Sequence, residues 1–431
     1  MLGVGATGPM ATDVAIGSRP EPSTPTPVPE ERDAWAVLAG VHGLGPVGFG
    51  TLLRRYGSAR AILRDAAAPG GPARLAAEPL DDAEAGQGAR SSVGPAVAEA
   101  IAAAAQSAGA TLERIHGLGL RIVTIEDPAY PLRLAAIDMP PHVLYVLGDP
   151  GALSARAAVA IVGTRRATDA GRAIAARLAA DLVAVGASVI SGLAVGIDGA
   201  AHAAAVHAHG TTVAVIGSGH AVLHPRAHSR LAASIVAAGG AVVAELAPDV
   251  EPSRGSFPRR NRIISGLADA TVVIEAPARS GALITASWAL EQGRECFLVP
   301  GALGAPASEG CLAFLREFPG DARIVAGIPQ LIDDLGLADH LVEPGVSGEI
   351  GATLAGIGEA AGRLGRELVL GRATVDELVA ATGWPVASVL AGLTLLERRG
   401  LAVGIHGRFR PAGALVLVDP AKLRQRPRMR P

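Results

Sequence analysis

Four arginines, Arg254, Arg259, Arg260 and Arg262, fall within nine residues and share the run with Phe257 and Asn261. Guanidinium groups hold phosphate oxygens through paired hydrogen bonds, and an aromatic ring among them offers a face for a nucleobase. Such a set can retain a nucleic-acid backbone without performing a reaction. The alternative is internal: each arginine can instead pair with Glu245 or Glu251 and fix the run, as common and individually weak ion pairs do. Asn261 has a more structural character, and Ile263 and Ile264 belong to a core.

A second set of candidates lies where apolar runs stop at glycine. Val159 to Val162 leads into Gly163-Thr164-Arg165-Arg166, and another run ends in Ser191-Gly192. Thr212 to Ile216 leads into Gly217-Ser218, Ala241 to Glu245 into a Pro-rich loop, Thr271 to Glu275 toward Ser280-Gly281, and Cys296 to Val299 into Pro300-Gly301. A strand that feeds a helix at such a point leaves unpaired backbone N–H groups aimed above the strand end, which is an anion site. Arg165 follows the first turn and reaches the same crevice as Gly192, Gly217 and Ser280. Arg226 and Arg230 follow the third run.

These runs are continuous Val/Ile/Ala stretches separated by helical ones, the pattern of parallel strands covered on both faces. The fold class is therefore α/β: a Rossmann-like, doubly wound, mostly parallel sheet with ligands at the carboxyl ends of its strands. A dinucleotide cofactor is not expected. Gly163 lacks a second glycine at the right step, Val222 stands where Gly217-Ser218-Gly219 would need its third, and no Walker-type loop is present.

Other classes recede on composition. With 431 residues and a formal net charge of -2, nucleic-acid affinity must come from a local patch rather than the whole field. Lys422 is the only lysine; the Arg usage fits phosphate contact and coding bias equally well. Cys296 and Cys311 support neither a disulfide framework nor a zinc site, and a reduced, cytoplasmic setting follows. His202, His207, His209, His220, His224 and His228 resemble a metal cluster on paper. His224 and His228 share a helical i, i+4 step without a carboxylate base, so no metal is expected. No apolar stretch reaches membrane-spanning length, and the first thirty residues lack signal-peptide order.

The organisation read from the chain begins with a disordered leader, 1–31. A small helical, helix-hairpin-helix or SAM-like domain follows at 32–112, with a low-complexity insertion at 67–94. In it, Gly43 to Gly48 joins two helices and can offer N–H groups to a phosphate or simply make a tight connection. The Rossmann-like DNA-binding domain spans 113–338 and starts with an extension of two short strands around Tyr130-Pro131. After a linker, 339–363, a winged-helix-like domain at 364–416 opens on the capping box Thr374 to Glu377 and hinges two strands at His406-Gly407. Its second helix, Pro385 to Leu393, lacks base-reading side chains, which favours a protein-contact or regulatory role. A basic tail, 417–431, carries Arg424, Arg426, Arg428 and Arg430.

Taken in order, Tyr130-Pro131, Pro140-Pro141, Val162-Gly163-Thr164-Arg165, Ser191 to Asp198 with Ala201-His202, Phe257 to Leu267, Glu275-Ala276, Ser280-Gly281, Thr285-Ala286 and Pro300-Gly301 resemble the bacterial DNA-processing protein A (DprA/Smf) family from about Leu120 to Gly301. The resemblance implies a homodimer that binds and protects single-stranded DNA and helps load the RecA recombinase during natural transformation, without catalysis or cofactor. It implies an arginine after Gly-Ser, where Thr164 keeps the hydroxyl, and a basic residue in the helix after the third strand, for which Arg226 and Arg230 both stand as candidates. Gly310-Cys311-Leu312 departs from the family's pattern, in which an Asn follows the glycine. Two other readings stand beside it. A LOG-like nucleoside-monophosphate phosphoribohydrolase would need a catalytic acid where Ser280 to Thr285 has none before Glu291, and an interaction scaffold would bind no DNA.

Overall fold

The computed structural model describes residues 29–77, 93–337, 359–398, 401–405, 408–412 and 415. The first unit is helical: α1 (Pro29–Ala39), α2 (Pro46–Tyr56), α3 (Ala59–Ala67), α4 (Gly71–Ala77), α5 (Pro95–Gln106) and α6 (Ala108–Gly117). Two expectations shift here. Helix α1 begins inside the supposed leader, because Glu31 accepts from the Trp35 indole (3.0 Å) and from the Arg60 backbone N–H (3.1 Å), which ties the helix start to α3. The insertion expected from residue 67 contains α4, whose Leu75 is fully buried. The rest of the leader and 78–92 lie outside the described residues.

Next come β1 (Arg121–Thr124), α7 (Leu132–Ala135), β2 (Val143–Gly148), β3 (Ala158–Val162), α8 (Asp169–Ala184), β4 (Ser188–Ser191), α9 (Ile197–His207), β5 (Thr212–Val215), α10 (Ser229–Ala237) and β6 (Ala241–Ala244). After them run α11 (Ser256–Gly266), β7 (Ala270–Val273), α12 (Gly281–Glu291), β8 (Glu295–Leu298), α13 (Glu309–Glu317), β9 (Ala322–Ile324) and α14 (Ile328–Asp334). Their nine strands form one sheet in the order β1-β2-β6-β5-β4-β3-β7-β8-β9. From β6 to β9 every pairing is parallel, while β1 and β2 add an antiparallel edge.

Burial explains why the strands read as unbroken apolar runs. Ala160 and Val162 of β3 face a layer holding Ile263, Ile264, Ala282 and Phe314, while Val159 and Ile161 face Leu178, Leu182, Ala201 and Leu331. Both pleat faces are dry, so alternation disappears. The β1–β2 edge carries the helical unit: Tyr145 is fully buried in that core and donates to the Ala36 carbonyl (2.7 Å).

The C-terminal unit comprises α15 (Glu359–Val369), α16 (Val375–Thr382), α17 (Val386–Arg398), β10 (Ala402–Ile405) and β11 (Arg408–Pro411) around Leu364, Leu378, Leu393 and Leu396. The expected capping box is present, with Thr374 Oγ1 accepting from the Glu377 N–H (3.2 Å) and Glu377 from the Thr374 N–H (3.0 Å). Helix α15 starts within the expected linker; the His406-Gly407 hinge and the tail from 417 lie outside the described residues. Among the described residues no single helix is long and apolar enough to cross a membrane. Helices α16 and α17 reach that test only as a pair bent by 113°, with Val389 and Leu396 buried in their own core.

One core group makes folding pH-dependent. His202 is fully buried in α9 beside Thr212 Oγ1 (2.8 Å), which itself donates to the Val189 carbonyl (2.6 Å). Burial, reinforced by nearby His228, holds the imidazole down to about 3 from its ordinary 6.5. Below about pH 6.5 the unfolded chain takes up a proton that the folded one refuses, so stability falls as pH drops from 6.5 toward 3, by about 1.4 kcal/mol per unit once well below 6.5. An NMR titration should find this imidazole neutral throughout the folded range; a titration near the ordinary histidine value would refute the account.

Candidate nucleic-acid interface

The carboxyl ends of β3, β4 and β5 meet at one place. A side chain at Gly163 would stand 2.5 Å from Ile197, and one at Gly196, whose φ is +91°, would stand 2.4 Å from the Thr164 carbonyl. The two turns therefore lie backbone against backbone, which glycine permits. Thr164 is buried and donates its N–H to the Glu275 carbonyl (2.7 Å), leaving Arg165 and Arg166 exposed. The Arg165 guanidinium lies over the Phe257 ring, 5.1 Å from its centre. Phe257 in turn packs on Gly217, where an added carbon would stand 2.9 Å from the ring, and meets the His224 ring at 5.7 Å.

The anion sites expected at the helix starts are occupied from within. Strand β3 does not feed straight into α8: Thr168 caps the helix, and its N–H donates to a Glu275 carboxylate oxygen (2.9 Å) while its hydroxyl donates to the other. Beside β4, Asp198 Oδ2 accepts from the Gly192 N–H (3.1 Å) and the Ala194 N–H (3.4 Å). Burial raises the Asp198 carboxyl, and Arg260 opposes that shift. At Ser280 the side chain caps its own helix through the Ala282 N–H (3.3 Å). Carboxylates at 198 and 275 thus take the places a ligand phosphate would need.

The arginine run also differs from expectation. It is not a loop, because α11 starts at Ser256, and the helix turns Arg260, Asn261 and Arg262 inward. Arg260 is 8% exposed; its Nη1 donates to the Gly192 carbonyl (2.8 Å) and to the Val215 carbonyl, and burial lowers its pKa to about 10. Asn261 Nδ2 donates to the Gly281 carbonyl (3.1 Å). Arg262 makes a two-pronged pair with Glu245 (2.6 and 3.0 Å) and donates to the Met139 carbonyl (3.2 Å). These three side chains, expected on nucleic acid, hold the fold instead. Ser218 is likewise fully buried, its hydroxyl on the Gly219 carbonyl (3.2 Å).

What remains open is a set of exposed cations: Arg165, Arg226, Arg230, Arg254, Arg259 and the unanticipated Arg166. None of the six pairs with a carboxylate among the described residues. Arg226 and Arg230 are both exposed, so the geometry favours neither. Gly281 is exposed and distant in sequence from this set, linked to it only through Asn261. His228 bonds the Leu193 carbonyl (2.9 Å), and among the described residues no group of three or more His, Cys, Asp or Glu could hold a metal ion. Sequence reasoning missed Glu275 and Asp198 as internal anions, because the groups they satisfy are identified only by the folded chain.

Fold and site together define an α/β protein of Rossmann-like build with exposed arginines after its strand ends, one of them, Arg165, over the Phe257 ring. Residues 121–336 match the family described as DNA recombination-mediator protein A, and the chain belongs to that family. It is 36% identical over 293 residues to Protein Smf of Escherichia coli, covering 67% of this chain and 76% of that one. It is 38% identical over 313 residues to a putative DNA processing protein DprA of Mycobacterium tuberculosis, covering 69% and 79%. Among solved structures, DNA processing protein A of Streptococcus pneumoniae superposes with a TM-score of 0.50 at 34% identity over 57% of this chain and 83% of that one. A DNA processing protein A of Helicobacter pylori, described for its single-stranded DNA binding mode, gives 0.45 at 28% over 51% and 97%. A DNA-processing role in recombination accordingly extends to this chain.

Buried and exposed arginines should separate by stability. Arg260→Met leaves two strand-end carbonyls and Asp198 uncompensated and should cost about 3 to 5 kcal/mol. Arg259→Ala should stay within about 0.5 kcal/mol. Urea unfolding measures both, and equal costs would show that the inward turn of α11 is wrong.

Proposed function

We propose that the exposed arginines around Phe257 bind single-stranded DNA, with Arg165, Arg226, Arg230, Arg254 and Arg259 on phosphates and Phe257 available to a base. The observation that carries this reading is the cluster of cations without carboxylate partners at the carboxyl edge of the sheet. Aromatic stacking tolerates any base, so the site favours strand over sequence. Duplex DNA hides its base faces and gains only the phosphate contacts. Binding in this reading serves to protect the strand and hand it to RecA by a homodimer, a role supported by family membership. No reacting constellation stands at the described site, and the reading assigns it no catalysis.

Thr164, Gly163, Gly192 and Gly217 act here by letting the turns approach one another. The C-terminal unit serves protein contact or regulation in this reading, since α17 presents Val386 and Leu390 outward rather than polar base readers.

Log affinity for an oligonucleotide should fall with log salt by roughly 0.7 per phosphate held, so four to six contacts give a slope of about -3 to -4. Because Arg165 is exposed, its removal is worth less than a water-excluded contact would be. Arg165→Ala should weaken binding about fivefold to tenfold, whereas Arg177→Ala on α8, paired with Asp181, should change it less than about twofold. A flat salt response, or equal loss in both variants, would remove the site from this face.

A further inference from the structure

At the opposite, amino-terminal edge of the sheet, two guanidinium groups share one carboxylate and a third packs beside them. Asp269 precedes β7; its Oδ1 accepts from Arg133 Nε (2.8 Å) and Arg410 Nη1 (3.2 Å), and its Oδ2 from the Ala158 N–H (3.1 Å). Arg294 joins through Nη2 on the Arg133 carbonyl (2.8 Å). The Nε–H groups of Arg294 and Arg410 are buried with no hydrogen-bond partner. Unmade hydrogen bonds on buried charged groups are costly, and their presence in pairs marks an unfilled polar place.

Two cavities open at this seam between the sheet and the C-terminal unit, and Arg410 lines both. One, of about 170 Å³, is bounded by Ala158, Asp269, Leu337 and Arg410; the other, of about 280 Å³, by Tyr130, Arg133, Val369 and Arg410. Burial pushes Arg294 down to about 10, with repulsion from Arg410 next, and burial lowers Arg133 as well. Guanidinium groups are cations near neutrality, so Arg133, Arg294 and Arg410 outnumber Asp269 here, and Arg156 lines both cavities as well.

We propose that this seam binds a phosphate monoester, whose double negative charge near neutral pH suits a place where guanidinium groups outnumber the one carboxylate. An internal phosphodiester carries only one charge and fits less well. The shared chemistry has two sources: a free phosphate or nucleotide, and the phosphorylated end of a DNA strand. The ligand would bridge Arg133 of the sheet domain and Arg410 of the C-terminal unit, with Arg294 packed behind Arg133, so occupancy strengthens their docking. The site lies a strand's length, roughly 15 Å, from the face assigned to the DNA chain, and it does not depend on that assignment.

Calorimetry on the full chain, with inorganic phosphate and AMP against chloride of matched ionic strength, should show saturable binding. Arg410→Gln should weaken it about tenfold, the worth of one charge-assisted contact, and Arg294→Gln, which removes a charge behind the cavity, about threefold. Without any variant, phosphate should shift the NMR amide signals of Ala158 and Asp269 and leave those of Gly192 and Gly217 in place. A 5′-phosphorylated oligothymidylate that binds more tightly than its 5′-hydroxyl form, with the preference lost in Arg410→Gln, assigns the ligand to a DNA end. Equal binding of the two strands, alongside AMP binding, assigns it to a free monoester; both results support the site. Absence of heat with phosphate and AMP, signal shifts confined to Gly192 and Gly217, or undiminished binding in both folded variants overturns it.

Discussion

The buried guanidinium of Arg260 is the interaction on which the carboxyl edge of the sheet depends. It takes the carbonyls at the ends of β4 and β5 while Asp198 takes the N–H groups of the turn after β4. An ion of either sign alone at this depth would be expelled, since desolvating one charge costs several kcal/mol. Together they let backbone groups that parallel strands leave unpaired at their ends be satisfied without water. Gly192 follows from this: an added carbon would stand 2.8 Å from Arg260 and 2.7 Å from Asp198.

That arrangement also sorts the arginine run. Helix α11 is buried on every side from position 260 onward, while Arg259 in its first turn and Arg254 before it stay exposed. Arg262 reaches Glu245 at the end of β6, so one helix locks the ends of three neighbouring strands. The surface left to a partner is thinner than the sequence count suggests, and it draws on Arg165 and Arg166 from a different turn. Charge density in a sequence and charge available to solvent are separate quantities.

Much of the fold was legible because it is written in local pattern. Unbroken runs such as Val159 to Val162 and Ala241 to Glu245 gave strands to within a residue or two, and the Thr374 to Glu377 spacing gave a helix start. The short strands on either side of Tyr130 were likewise readable, because Tyr130 donates to the Pro141 carbonyl (2.7 Å) and pins the turn between them. The site was less legible, since its outcome turns on contacts remote in sequence. Glu275 meets Thr168 across 107 positions and Arg260 meets Gly192 across 68, and no periodicity announces either. The single residues of a glycine turn tell that the backbone comes close; they do not tell which carboxylate will fill the space.

Glu275 has a consequence of its own. In a doubly wound sheet the place where strand order reverses, here between β3 and β7, is where a diffusible nucleotide usually seats its phosphates. This protein supplies the anion from its own chain, at a fixed local concentration that no dilution lowers. A competitor must displace a tethered group already hydrogen-bonded to Thr168, against a penalty that does not vary with the cell's energy charge. The reversal point is thereby filled from within, and a diffusible anion gains entry only by breaking the contacts between Glu275 and Thr168.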